Sequence, residues 1–502
     1  MIERFDSVRQ GYALEADAVV VGSGAAGAVA AANLAEAGLR TVVVEAGPPV
    51  DPSDMSRDGP RFMARYYWEG GLRMLTGSAP IPTMQGRCLG GSTVVNSAIM
   101  LPLPRWVREE WAAEEGLPWL LEPALDRAFE RVFARCKVAP TPMTVMGRRN
   151  ELALEALAAA GIPAGPLPRA VEGCEGAADC ITGCAGGRKQ SVDRSYLPHA
   201  LRDGARVMTC SEVDGILTEG ARATGVTGWV VDPVTRERTA RFSVRAPKVI
   251  LAAGVMASPV LLLRSGIRGG GRVGATLYAH IGAGAMGVME EVVDPWIGAT
   301  QGVGAISAEI RGMKYESLWA ATNLIAARWG ALGARFYDQL QDLRHATVVV
   351  VVYRGAVHGR VRARRNGLPA MKLTIPQSEI DTTMRGLRPA VEGLLAVGAR
   401  YVTTSIHGLP KTIRSPAEVD ALVSGRVRAR DIPMTANHVF GSCRMSADPR
   451  RGPVDPEGRV RGVDGLWVVD TSVFPSGSAV NPQATCMAVS DLLTRRIGGL
   501  TT

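Results

Sequence analysis

Apolar and polar positions make their clearest pattern near the N-terminus. Asp17 to Val21 ends in an unbroken β-branched run, the pattern of a strand buried on both faces of a parallel sheet. Ala25 to Ala37 is Ala-rich and predicts a helix, with Gly38 as its stop. Thr41 to Val44 predicts a second buried strand, closed by Glu45. Far along the chain, Ala346 to Tyr353 and Ala370 to Ile375 read as strands, and Ser378 to Gly398 as a helix. The longest apolar run, Ala346 to Val352, is strand-length and far short of the roughly 18 residues a membrane-spanning helix needs.

The first strand and helix are joined by Gly22-Ser23-Gly24-Ala25-Ala26-Gly27. In such a βαβ unit the first glycine (Gly22) permits the tight turn. The second (Gly24) lets backbone approach a pyrophosphate, and the third (Gly27) lets helix and strand pack closely. The helix N-terminus faces the phosphate charge. Glu45, 18 residues past Gly27, stands where a carboxylate accepts ribose hydroxyls. The same glycine spacing recurs at Gly269/Gly271/Gly274 and Gly282/Gly284/Gly287, but without a strand before and a helix after, so both read as loop or strand glycines.

Composition changes this picture little. The chain has 502 residues, 46% hydrophobic and 21% charged, which excludes a disordered, collagenous or coiled-coil protein. The 58 glycines exceed the average share of roughly 7%, and loops that approach a ligand are one place for them. The net charge of +9 comes with scattered arginines, densest at Arg360 to Arg365, and no nucleic-acid motif accompanies it. It reads as a solvated surface, with no nucleic-acid partner. The first 16 residues carry charges throughout and lack an apolar signal core, so the chain reads as cytoplasmic.

Further motifs carry a resemblance. Gly86-Arg87-Cys88-Leu89-Gly90-Gly91-Ser92-Thr93-Val94-Val95-Asn96 resembles the first signature of the glucose-methanol-choline (GMC) flavin oxidoreductases. Ala252 to Pro259 resembles the second, and Asn437 to Met445 the active-site histidine segment. Val454-Asp455, Gly465 to Asp470 and Asn481-Pro482-Gln483-Ala484-Thr485 follow in family order. The resemblance covers roughly residues 15–290 and 430–500. It implies an α/β fold with added α+β elements. A Rossmann-like FAD-binding domain, in two parts (12–290 and 431–502), interleaves with a substrate domain on an antiparallel sheet (291–430). It also implies FAD contacts from Arg87, Gly90, Gly91, Ser92 and Asn96, from Asp470, Pro482 and Gln483, and from Val213 beside the adenine. Some relatives attach the flavin through a histidine near the first signature. This chain has no histidine before His199, so the expected FAD is non-covalent.

Oxidising an alcohol removes a carbon-bound hydride, taken by the flavin, and a hydroxyl proton, taken by a base. Histidine suits that base near neutral pH. Of the six histidines, His438 lies at the family's matching position, and Asn481 at the second active-site position. The resemblance therefore implies His438 as base and Asn481 as orienter of the substrate oxygen. His280 and His199 read as structural. The substrate is a small or natural-product-like alcohol, with O2 or an external electron acceptor as partner. Substrate-domain aromatics are few: Trp296, Trp319, Trp329, Phe336 and Tyr337. Two other functions fit the same fold, a flavin-bearing lyase or decarboxylase and a non-catalytic FAD-binding subunit.

Cys174, Cys180 and Cys184 crowd a glycine-rich segment at spacings of five and three intervening residues. Thiolates so placed are candidate ligands of a [3Fe-4S] cluster, and a branch of the same family carries a segment of this kind. A zinc site, a disulfide and plain free thiols are the alternatives. A cluster would carry electrons outward and favour a dehydrogenase.

Overall fold

The computed structural model describes residues 1–56, 58–328 and 331–502, so Trp329 lies outside the described residues. The predicted βαβ unit forms as strand Ala18–Val21, helix Ala25–Glu36 and strand Thr41–Val44. These strands belong to a six-stranded sheet in the order Ile2–Glu3, Arg206–Met208, Thr41–Val44, Ala18–Val21, Lys248–Leu251, Leu466–Val468. Every pairing in it is parallel. Both faces are covered, which is why its central strands are valine runs with no polar alternation.

Helix Ala25–Glu36 is buried along nearly its whole length, between this sheet and the C-terminal helix Gln483–Gly498. Only small side chains fit a helix so enclosed, hence Ala-Ala-Gly-Ala-Val-Ala-Ala-Ala. At Gly27 even a methyl is too much, because a Cβ there would sit 1.9 Å from the Gly22 carbonyl oxygen. A polar rivet fixes the helix pair. Asn33 Nδ2 donates to Asp491 Oδ1 at 3.1 Å and to Thr494 Oγ1 at 3.0 Å, while Arg131 Nη2 reaches Asp491 Oδ2 at 2.6 Å.

A second six-stranded sheet roofs the first. Its order is Ala399–Thr403, Ile281–Met289, Ala346–Tyr353, Met313–Ser317, Val303–Ile306, Gly165–Pro166, all antiparallel. Alternation divides its residues. Ala283, Ala285, Tyr315, Val349 and Val351 share a core with Met384, Leu387, Val391 and Leu394 of helix Gln377–Ala396. The other set forms cross-strand rungs, Gly284–Val350–Glu316 and Gly282–Val352–Lys314. Gly282 and Gly284 are thus strand residues, and Gly269–Gly271 is a short turn.

The class is the expected mixed α/β one, a parallel nucleotide sheet with an antiparallel roof. The roof draws Ile281–Met289 and Gly165–Pro166 from the expected N-terminal FAD segment, 12–290. No helix among the described residues is long and apolar enough to cross a membrane. Asp491→Ala leaves the Asn33 amide and the Arg131 guanidinium without their buried acceptor. The expected loss is about 2 kcal/mol, read as a lower urea midpoint with an unchanged m-value.

Candidate active site

Between the two sheets lies one cavity of about 540 Å³, within the range of small-molecule sites. Its floor is the βαβ turn. Helix Ala25–Glu36 starts at Gly24 with no side-chain cap, so its first-turn N–H groups have no side-chain acceptor. The first-signature loop closes on that turn. A Cβ on Gly91 would stand 2.8 Å from the Gly24 Cα, so the two backbones meet face to face. Ser23 ties them together: Gly90 N donates to Ser23 Oγ at 3.0 Å, and Ser23 Oγ donates to Glu45 Oε2 at 2.7 Å. Glu45 also accepts from Ser23 N and Gly47 N, at 2.9 and 2.7 Å. Burial still raises its proton affinity above the carboxylate norm, against these donors. Of roughly four acceptor positions on a carboxylate, three are used, leaving one for a ligand hydroxyl.

Most of the expected cofactor residues line this cavity: Gly22, Gly24, Glu45, Gly91, Ser92, Asn96, Val213, Asp470, Pro482 and Gln483. Asp470 accepts from Gly254 N at 2.8 Å and Ser258 Oγ at 2.6 Å, pinning the helix that starts at Gly254. Asn96 Nδ2 donates to Gln483 Oε1 at 2.5 Å, joining the first signature to the C-terminal helix. Three of the expected residues stand back from the wall. Gly27 packs helix on strand, Gly90 serves the Ser23 link, and Arg87 lies behind, over the Trp68 ring and 3.7 Å from Glu212.

His438 and Asn481 both line the cavity. His438 precedes the short strand Val439–Phe440, which pairs with Tyr278–Ala279 and brings His280 alongside. The two imidazoles share one contact, Nδ1 to Nδ1 at 3.2 Å, and Asn481 Nδ2 lies 3.5 Å from His438 Nε2. Behind Asn481, Lys314 Nζ donates to its Oδ1 at 2.6 Å and ion-pairs with Glu316, whose Oε2 accepts from Gln301 at 2.9 Å. Sequence reasoning set His280 aside and did not see Lys314, Glu316 or Gln301. The only signal was a charged pair at alternate positions of a five-residue strand, Met-Lys-Tyr-Glu-Ser.

The three cysteines do not converge on a metal. Among the described residues no three His, Cys, Asp or Glu side chains form a group that could hold one. The loop is organised by cations instead. Arg169 Nη2 approaches Cys180 Sγ at 3.1 Å. Burial opposes ionisation of the Cys180 thiol, but Arg169 and Lys189 outweigh it and hold the thiol below its usual range. Cys184 Sγ accepts from Arg188 N at 3.3 Å. Buried Lys189 donates to the carbonyls of Val94, Asn96 (2.9 Å) and Cys180 (2.6 Å), binding the segment to the first signature. The segment is cavity wall, to which Ile181 contributes.

Comparison with known proteins settles the lineage. Residues 16–282 and 354–490 match the N- and C-terminal descriptions of GMC oxidoreductases. The chain belongs to the GMC oxidoreductase family. It is 34% identical over 481 residues to an uncharacterized GMC-type oxidoreductase of Mycobacterium tuberculosis, covering 95% of this chain and 74% of that one. It is 26% identical to a long-chain-alcohol oxidase of Arabidopsis thaliana, covering 99% of this chain and 68% of that one. A formate oxidase of Aspergillus oryzae, solved in a study of its FAD modification, superposes with a TM-score of 0.71 at 17% identity, over 97% of this chain and 98% of that one. This GMC oxidoreductase therefore has the family's FAD-binding fold and is an enzyme.

Burial, with Lys314 reinforcing it, pushes the His438 pKa down to about 3, and burial drives His280 well below its usual value. Unfolded histidine protonates near 6.5, so between these limits acid favours the unfolded chain. The contribution is complete above about pH 6.5 and is lost on acidification, at about 1.4 kcal/mol per pH unit for each ring. Denaturation at pH 7, 6 and 5 should therefore show wild type losing stability faster than His438→Asn. A pH-independent difference between the two would contradict the buried neutral ring.

Proposed function

We propose that this GMC oxidoreductase binds FAD non-covalently and oxidises the CH–OH group of an alcohol with an apolar body. The observation that carries the reading is the pairing of His438 Nε2 and Asn481 Nδ2, 3.5 Å apart at the cavity wall between the glycine floor and the roof. The floor fits a dinucleotide. Methyl-sized space is missing between Gly91 and Gly24, and an uncapped helix start faces where a pyrophosphate would lie. Gly22, Gly24, Gly91, Ser92 and Asn96 would hold FAD from one side, and Asp470, Pro482 and Gln483 from the other, with Val213 at the adenine end.

The chemistry FAD supplies when bound is acceptance of a hydride from the alcohol carbon. The chain's own residues handle the hydroxyl. Asn481 Nδ2 donates to the alcohol oxygen and fixes its place. His438 Nε2 accepts the hydroxyl proton as the carbonyl forms. For Nε2 to offer a lone pair, the ring's own proton must sit on Nδ1, donated to His280 Nδ1. His280 thus sets the tautomer of the base. The low proton affinity of His438 keeps it unprotonated through the neutral range.

Leu318, Trp319, Ala320, Val350 and Val352 line the same cavity as this pair, which favours an apolar substrate. Similarity to a long-chain-alcohol oxidase supports the same class. Anaerobic flavin-loaded enzyme should bleach with 1-decanol or a bulky apolar secondary alcohol, and much less with ethanol or choline. A lyase or a non-catalytic subunit would leave the flavin oxidised with every alcohol. His438→Ala should retain FAD and lose about 10²–10⁴-fold in kcat. Full turnover would remove His438 from the role of base. Denaturation should release intact FAD, and H2O2 formation on reoxidation tells O2 from another acceptor.

A further inference from the structure

Asn481 carries an acceptor at one end of its amide and a donor at the other. The roof strand Met313–Ser317 decides which end meets His438. Lys314 and Glu316 alternate there with core-facing Met313 and Tyr315, and both charged residues are buried, at 2% and 3% exposure. Lys314 Nζ, a donor with no acceptor capacity, contacts Asn481 Oδ1 at 2.6 Å. It can admit only the oxygen end of the amide. Nδ2 is thereby turned toward His438 Nε2. A hydroxyl between them then meets one donor and one acceptor. With the amide reversed it would meet two acceptors and, having one proton, could satisfy only one.

We infer that the buried Lys314–Glu316 ion pair is a positioning device, in which Lys314 locks the orientation of the Asn481 amide and Glu316, held by Gln301, fixes Lys314. The inference rests on the reading of His438 and Asn481 as base and orienter. Glu316 and Gln301 reach the cavity wall, whereas Lys314 does not and acts through Asn481. Stability alone does not explain the pair. Removing two charges from water costs at least as much as their attraction usually returns, and neighbouring Val350 and Val352 fill the same rungs without charge. The pair also acts on the base by its field. His438 is faced by His280, Lys314, Glu316 and the Asn481 amide. The Lys314 cation adds to burial in lowering its proton affinity, and Glu316 opposes it.

The test uses flavin-loaded enzyme with 1-decanol as probe. Lys314→Met removes the donor but strands a buried carboxylate. Two companions therefore accompany it: the neutral pair Lys314→Met/Glu316→Gln, and the exchanged pair Lys314→Glu/Glu316→Lys. The exchange keeps the ion pair and its burial but sets an acceptor against Asn481. A positioning role predicts that both companions retain FAD and lose about 10²-fold, mainly in kcat, the size of one misplaced oxyanion donor. Lys314→Arg, which keeps a donor, should recover most of that loss. An exchanged pair with wild-type kcat would overturn the inference. The second readout needs no alcohol. The chain has only six histidines, so the imidazole of His438 can be followed by isotope-labelled NMR and assigned by its disappearance in His438→Asn. In Lys314→Met it should take up a proton at higher pH than in wild type, since the cation is gone and the carboxylate remains. An unchanged titration would overturn the inference. A wild-type flavin that no alcohol reduces, together with a shifted titration, would sink the proposed oxidation and leave the pair standing.

Discussion

Two backbones without side chains meet at Gly24 and Gly91, and the rest of the molecule is arranged around that contact. It can form only if Gly91 carries no Cβ, and only if both loops are held from behind. Glu45 does the holding. Through Ser23 it joins the floor turn, the second strand and Gly90 in one buried hydrogen-bonded knot. Such a knot stabilises by satisfying every buried polar group it contains, because a half-satisfied one would cost more than an apolar contact. It leaves an uncapped helix start on the same surface as a spare carboxylate acceptor, where a large anionic ligand finds both charge and hydroxyl partners.

The roof solves a different problem. A sheet facing a ligand must offer a smooth surface in one place and directional chemistry in another. Cross-strand register does this with few residues. The rungs bring Gly282, Gly284, Val350 and Val352 to the cavity wall and add one charged side chain there, Glu316, with Lys314 off the wall. The apolar part selects by shape. The charged rung acts on direction, through a donor that cannot accept and an acceptor that cannot donate.

Local patterns made the nucleotide half readable. Valine runs, an Ala-rich helix and glycine spacing are properties of neighbouring residues, and strand, helix and strand formed within a residue of where those patterns end. The family motifs likewise marked residues that the fold brings to one cavity wall, His438 and Asn481 among them. What sequence could not reveal depends on pairing between distant strands. His280 meets His438 only because Tyr278–Ala279 pairs with Val439–Phe440. Lys314 meets Asn481 across 167 residues. Arg87 sits inside a signature yet stands behind the cavity wall, against Trp68 and Glu212, since motif membership fixes the backbone and not the side chain. The cysteine spacing likewise says nothing of what each thiol meets. Cys180 and Cys184 take separate partners, the Arg169 guanidinium and the Arg188 backbone N–H, and among the described residues the three thiols form no metal-holding group.

The first helix is made long before the helix it packs against. Residues 25–36 leave the ribosome some 450 residues ahead of Gln483–Gly498, which at roughly 5–20 residues per second is on the order of 20–90 s. Over that interval the Ala-rich face has no cover, the parallel sheet lacks its last strand, Leu466–Val468, and Asn481 does not yet exist. The cofactor floor is therefore closed by residues synthesised more than 400 positions after its first strand. A chain ended before Leu466 keeps every glycine of the nucleotide turn and loses the last strand of the sheet together with Asp470, Asn481, Pro482 and Gln483 of the cavity wall.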